Sequence, residues 1–127
     1  MKVIIDTNAL MASEQFGVDI FSELERLGYA ECLVPASVLA ELRSLASGAK
    51  RGKDKVAARV ALVLAERCRV LGEEGIDADV AIERLALDEK AAVFTNDRAL
   101  KKRLSSNGIT VIYLRQERYL VAAKKEI

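Results

Sequence analysis

Three consecutive β-branched residues, Val3-Ile4-Ile5, run without polar alternation into Asp6. A strand exposed on one face would alternate. An unbroken apolar run reads as a strand buried on both faces, as in a parallel sheet covered by helices. A carboxylate at the point where such a strand stops lies in the crevice where open α/β sheets bind ligands. It is costly there unless it is paired, hydrogen-bonded or holding a metal. Asp6 could equally cap the next helix from a turn, so the rest of the chain has to decide between the two roles.

The elements that follow alternate between the two periodicities. Residues 9–12 suit a short helix, and Ile20, Phe21, Leu24 and Leu27 recur at helical spacing up to Gly28. Residues 30–34 read as a strand stopped by Pro35, and 36–47 as a helix with Val38, Leu39, Leu42, Leu45 and Ala46 on one face. The stretch SGAKRGKDK is a charged connection. It leads into an alanine-rich helix over 54–68, in which Ala57, Ala58, Ala61 and Ala65 serve either ordinary packing or a subunit seam. Residues 69–71 suit a short strand, Ile76 to Leu87 a loop and helix, 91–94 a buried strand, 98–106 a basic helix and 109–114 the last strand. Strands separated by helices make βαβ units. The expectation is a three-layer α/β/α domain with a twisted, mostly parallel sheet of four or five strands, spanning 1–121, with 122–127 as a frayed tail.

Composition narrows the chemistry. No apolar run approaches the ~20 residues of a membrane span, and the start of the chain lacks a signal-peptide pattern, so a cytoplasmic protein is expected. There is no histidine, and the two cysteines, Cys32 and Cys68, are expected in a strand and a helix, buried and reduced. That excludes Ser-His-Asp and Cys-His catalysis and a structural zinc site. What remains is chemistry by carboxylates, lysine, tyrosine or a hard cation bound through oxygen.

Four acids are expected at one edge of the sheet. Asp6 follows the first strand and Asp97 follows the strand ending at Phe94. Asp79 stands in the first turn of one helix, and Glu41 lies about a turn and a half into another. Each has a local alternative: Asp79 suits a helix dipole, Asp97 or Asn96 an N-cap, and Glu41 a solvated face. Their coincidence points further. Like charges 4 Å apart cost about 4 kcal/mol per pair at an effective dielectric near 20, and a divalent cation removes that conflict. Oxygen-only ligands favour Mg²⁺ or Mn²⁺ over zinc, and such sites suit phosphodiester chemistry.

VIIDTN, the glutamate of PASVLAEL, DADVAIERLA and FTNDRAL, in that order and spacing, resemble the PIN-domain nucleases. The resemblance implies a parallel α/β fold and a metal-dependent endoribonuclease. Its acidic positions fall on Asp6, Glu41, Asp79 and Asp97 as catalytic and metal-holding residues. Asp79 is preferred to Asp77 because Ile82 follows it by three residues; Asp77 then becomes the helix N-cap or a supporting acid. Asn8, Thr95 and Asn96 match neighbouring polar positions that orient acids or water. The implied reaction is attack of a metal-activated water on single-stranded RNA. The C-terminal stretch resembles the PIN nuclease of small-subunit rRNA processing and its archaeal relatives, which implies rRNA maturation and a ribosome-assembly partner. The alternatives are a VapC-type toxin RNase with an antitoxin, or a non-cleaving RNA- or protein-binding module. The family also implies a homodimer. Candidate RNA-binding residues are Lys50, Arg51 and Lys53 in one basic cluster and Arg98, Lys102 and Arg103 in another; the bland alternative is solvated faces.

Overall fold

In the computed structural model, which describes residues 1–48 and 52–123 (side chain of Lys53 excepted), strand β1 (Lys2–Ile5) lies in the middle of the sheet. It pairs in parallel with β2 (Glu31–Pro35) on one side and with β4 (Ala92–Phe94) on the other. That position explains its apolar run: Val3, Ile4 and Ile5 are completely buried. Beyond β2 lies β3 (Arg69–Leu71), and beyond β4 lies β5 (Val111–Arg115), both parallel. The order is β3-β2-β1-β4-β5-β6, with β6 (Tyr119–Ala123) antiparallel at the edge.

The chain thus steps outward from β1 to β3, returns to β4, and steps outward the other way. Right-handed crossovers put helices α1 (Thr7–Phe16), α2 (Ile20–Arg26), α3 (Ala36–Ser47) and α4 (Gly52–Ala65) on one face. They put α5 (Ala78–Glu89) and α6 (Arg98–Ser106) on the other. The strand order reverses between β1 and β4. The crevice at the carboxyl ends of those two strands is where such a sheet opens to a ligand.

The sheet has six strands, not the four or five expected. The extra strand is β6, which begins after a tight connection in which Gln116 and Glu117 hold φ of 54° and 56°. Hairpin turns of that kind are ordinarily marked by Asn-Gly or Asp-Gly, and Arg-Gln-Glu-Arg carries no such mark. Ala122 and Ala123, expected to fray, pair with Ile112 and Val111; residues 124–127 lie outside the described residues. The outer edge of β6 is covered by α2. The amide of Leu120 donates to Glu23 Oε1 at 3.0 Å, and its carbonyl accepts from Arg26 Nη2 at 2.8 Å. Those two side chains occupy backbone groups that would otherwise invite another strand.

The alanines of α4 face inward. Ala57, Ala58, Ala61 and Ala65 are buried against the helices beside them, so they serve internal packing and are not exposed as a subunit seam. Without a methylene to spare, they let α4 lie close to α1 and α3. The helix ends at Ala65, three residues before the expected end, through i→i+3 bonds from Glu66, Arg67 and Cys68. No glycine or proline marks that stop, and Cys68 therefore lies past the helix instead of inside it. Among the described residues, no helix is long and apolar enough to cross a membrane.

Candidate active site

Asp6 combines the two roles open to it. Its amide donates to the Phe94 carbonyl at 3.0 Å, which ties the end of β1 to the end of β4. Its side chain caps α1 by accepting from the Thr7 amide at 2.8 Å on Oδ1. Oδ2 accepts from the Thr95 hydroxyl at 2.7 Å and from Asn8 Nδ2 at 3.2 Å. A carboxylate has about four lone-pair positions, so these bonds hold the group in place and leave capacity for a ligand.

Thr95 is completely buried and couples Asp6 to the next acid. Its hydroxyl oxygen also accepts from the Asp97 amide at 3.1 Å, while Asp97 Oδ1 caps α6 by accepting from the Leu100 amide at 3.0 Å. Asn8 and Asn96 brace the same rim: Asn8 Oδ1 accepts from the Asn96 amide at 3.1 Å, and Asn96 Oδ1 accepts from the Leu114 amide at 2.9 Å. Asp77 Oδ2 accepts from the Val80 amide at 3.3 Å as the N-cap of α5, which leaves Asp79 in the first turn.

Glu41 is reached through a residue that the sequence reading passed over. The Thr7 hydroxyl donates to Glu41 Oε2 at 2.8 Å, linking α1 to α3. The only available signal was its place between Asp6 and Asn8. A residue in the first turn of a helix that starts at the strand end must lie beside the same crevice.

Asp6, Glu41, Asp77, Asp79 and Asp97 all line one cavity of about 420 Å³, with Thr7, Asn8, Met11, Leu45 and Ala78. Among the described residues no lysine or arginine lines it. Burial raises the Asp6 carboxyl above its ordinary value, and the charges of Asp79 and Glu41 add to that; the bonds from Thr95 and the Thr7 amide pull the other way. Asp79 is raised by burial and by Asp77, Asp97 and Glu41, against the pull of Arg103. The acids therefore sense one another across the cavity. Two larger cavities lie elsewhere, one beside Met1, Tyr29 and Leu87 and one beside Phe16 and Val56, and neither gathers a comparable set of acids.

The basic residues are less unified. Lys50 and Arg51 lie outside the described residues, as does the side chain of Lys53. Arg98 and Lys102 are exposed on α6, but Arg103 is engaged by Glu83 of α5, and the Lys101 ammonium sits 3.5 Å from the centre of the Tyr113 ring.

Residues 3–117 match the family model described as a PIN like domain. The chain is 36% identical over 115 residues to Ribonuclease VapC9 of Archaeoglobus fulgidus, covering 91% of this chain and 84% of that protein. It is 32% identical over 122 residues to Ribonuclease VapC4 of Methanocaldococcus jannaschii, covering 93% of each. The solved structure of the PIN domain endonuclease Utp24 matches with a TM-score of 0.78 at 28% identity, over 97% of this chain and 91% of that one. A domain of a functionally unknown protein from M. jannaschii matches with a TM-score of 0.61 at 19% identity, over 99% and 95%, and shows the fold alone.

Proposed function

Because the chain belongs to the PIN-domain ribonuclease family, we propose that it is a Mg²⁺- or Mn²⁺-dependent endoribonuclease that cuts single-stranded RNA in the acidic cavity. The observation that carries this reading is the lining of that cavity: five carboxylates, four of them hydrogen-bonded in place, with no basic side chain among the described residues that line it. The donor set fits a hard cation, since every charged group is an oxygen ligand. Among the described residues no three acids stand together as a metal site. Asp6, Asp79 and Asp97 would hold the cation, with Glu41 beside them. When bound, it would supply charge for a developing phosphorane and lower the pKa of an attacking water.

The chain's own residues have the remaining work. The bonds from Thr95 and the Thr7 amide favour the charged form of Asp6 and so oppose the effect of its burial. Thr7 fixes Glu41 where it can accept a proton or orient the water. Asn8 and Asn96 hold the β4–α6 rim in register with β1 and β5. Arg98 and Lys102, exposed beside Asp97, would meet phosphates flanking the cut. The two VapC relatives support RNA as the substrate, and Utp24 supports an internal cut. They also leave two roles to separate, a toxin-type RNase held by an antitoxin and an rRNA-processing nuclease. Co-purification with a small antitoxin or with ribosomal precursors distinguishes them.

Asp79→Asn tests the reading in two directions at once. Asp79 makes no cap, so the change chiefly removes charge from a crowded cavity. A carboxyl whose folded pKa is raised favours its protonated form in the fold. Its contribution to stability is full below the unfolded pKa and is lost as pH rises through the folded one. Stability of the metal-free protein should therefore fall, and cleavage should rise, across the range just above the ordinary aspartate pKa. At neutral pH in EDTA, Asp79→Asn should melt about 1–2 °C higher, a small effect because solvent screens the group. It should also lose most Mn²⁺-dependent cleavage of a single-stranded RNA. Full cleavage by the variant would reject the assignment.

A further inference from the structure

We propose that Cys32 and Cys68 are a redox pair that closes to an intramolecular disulfide, a modification site separate from the acidic cavity. The geometry comes from the register of β2 and β3, where Leu33 lies opposite Arg69 in a parallel pair. One step earlier, Cys32 and Cys68 are neighbours on adjacent segments, and equivalent positions of a parallel pair point to the same face. Paired strands lie about 4.8 Å apart, within the roughly 4.4–6.8 Å that a disulfide needs between Cα atoms. The Cys32 thiol reaches the Arg67 carbonyl, which belongs to the peptide bond entering Cys68, at 3.4 Å. Both cysteines are free and half-buried.

The environment divides the chemistry between them. A hydrogen bond from Cys68, aided by the charge of Arg67, brings the Cys32 thiol down to about 7, below an ordinary cysteine, which favours Cys32 as the nucleophile of the pair. Cys68 keeps its proton, pushed upward by donating to Cys32 and by burial. The Arg67 guanidinium is steadied over the Phe21 ring at 4.1 Å from its centre. With hydrogen peroxide as oxidant, the Cys32 sulfur attacks one peroxide oxygen. The O–O bond breaks, leaving Cys32 sulfenic acid and hydroxide. The Cys68 sulfur, giving up its proton, then attacks the Cys32 sulfur. The S–S bond forms, the S–O bond breaks, and hydroxide leaves as water with that proton. Two thiols lose two hydrogens, and one peroxide becomes two waters.

The bond would close the segment from Cys32 to Cys68, which contains α3 and α4, at the amino-terminal end of β2. The acids stand at the opposite, carboxyl-terminal edge. Oxidation should therefore stiffen the helix that carries Glu41 without contact with the cavity, raising the melting temperature by on the order of 10 °C.

The folded protein is exposed to hydrogen peroxide, denatured, alkylated with a maleimide and weighed intact and as peptides. The chain has two cysteines, so the result is unambiguous. Expected are a Cys32–Cys68 cross-linked peptide, no alkylation, an unchanged monomer band without reductant, the higher melting temperature, and reversal by dithiothreitol. Cys68→Ser should leave a sulfenic acid on Cys32 that dimedone traps, whereas Cys32→Ser should leave Cys68 at least about 10-fold slower to oxidise. Two alkylated thiols, a disulfide between chains, or Cys32 advancing to sulfinic acid while Cys68 stays free would overturn the proposal.

Discussion

Replacing Asp6 with asparagine is expected to lower Mn²⁺-dependent cleavage of single-stranded RNA by about 10³-fold or more, roughly 4 kcal/mol of transition-state stabilisation. Asparagine is nearly isosteric and caps helices as well as aspartate does, so the Thr7 amide keeps its acceptor. What disappears is the negative charge at the junction of β1 and β4, where the bonds from Thr95 and Asn8 converge. The variant should keep the far-ultraviolet dichroism of the parent, and its metal-dependent rate should approach the EDTA background. Undiminished cleavage by a preparation free of other nucleases removes Asp6 from the reaction.

The second large effect belongs to Thr95. Thr95→Val keeps the shape of a completely buried side chain and deletes the hydroxyl that joins Asp6 to Asp97. The Asp6 carboxylate loses a 2.7 Å bond that favours its charged form, and the Asp97 amide loses its acceptor. Divalent-ion affinity and cleavage should each fall about 10- to 100-fold, as for other groups that orient a metal ligand. Stability should fall by about 1–3 kcal/mol from the polar groups left unpaired. Because the Asp6 carboxyl is already raised by burial, losing Thr95 raises it further. The acidic limb of the pH–rate profile should therefore move to higher pH. Thr95→Ser, which retains the hydroxyl, should restore both the limb and most of the affinity. A valine variant with the parent profile would show that the Thr95 bond does not govern Asp6.

How far these features could be read from the chain differs with the range of the interaction that creates them. The burial of β1 was visible because burial on both faces leaves no polar residue in Val3-Ile4-Ile5. Helix α3 was placed at its observed bounds because Pro35 and Gly48 punctuate a clear apolar face. Asp77 caps α5, one of the two roles left to it once the family resemblance assigned the acidic position to Asp79. Strand β6 was hidden because its turn uses Gln116 and Glu117 at positive φ, supported by pairing with β5 and not by local propensity. The Thr7–Glu41 bond joins residues 34 positions apart and depends on how α1 and α3 pack, which no local pattern encodes. The same holds for the neighbouring cysteines, whose proximity is set by the β2–β3 register. Asp6, Asp79 and Asp97 were legible together because each sits at an element end, and a parallel sheet sends those ends to one edge; Glu41, about a turn and a half into α3, was reached through the family resemblance.

If the fold gathers these carboxylates to hold a hard cation, the ion should be found among them. Anomalous diffraction from a crystal soaked in Mn²⁺ tests it most directly. An anomalous peak is expected inside the cavity, within ligand or one-water distance of Asp6, Asp79 and Asp97, and no such peak in a crystal of Asp6→Asn soaked in the same way. A wild-type crystal at saturating Mn²⁺ with manganese bound elsewhere and none among these acids would contradict it.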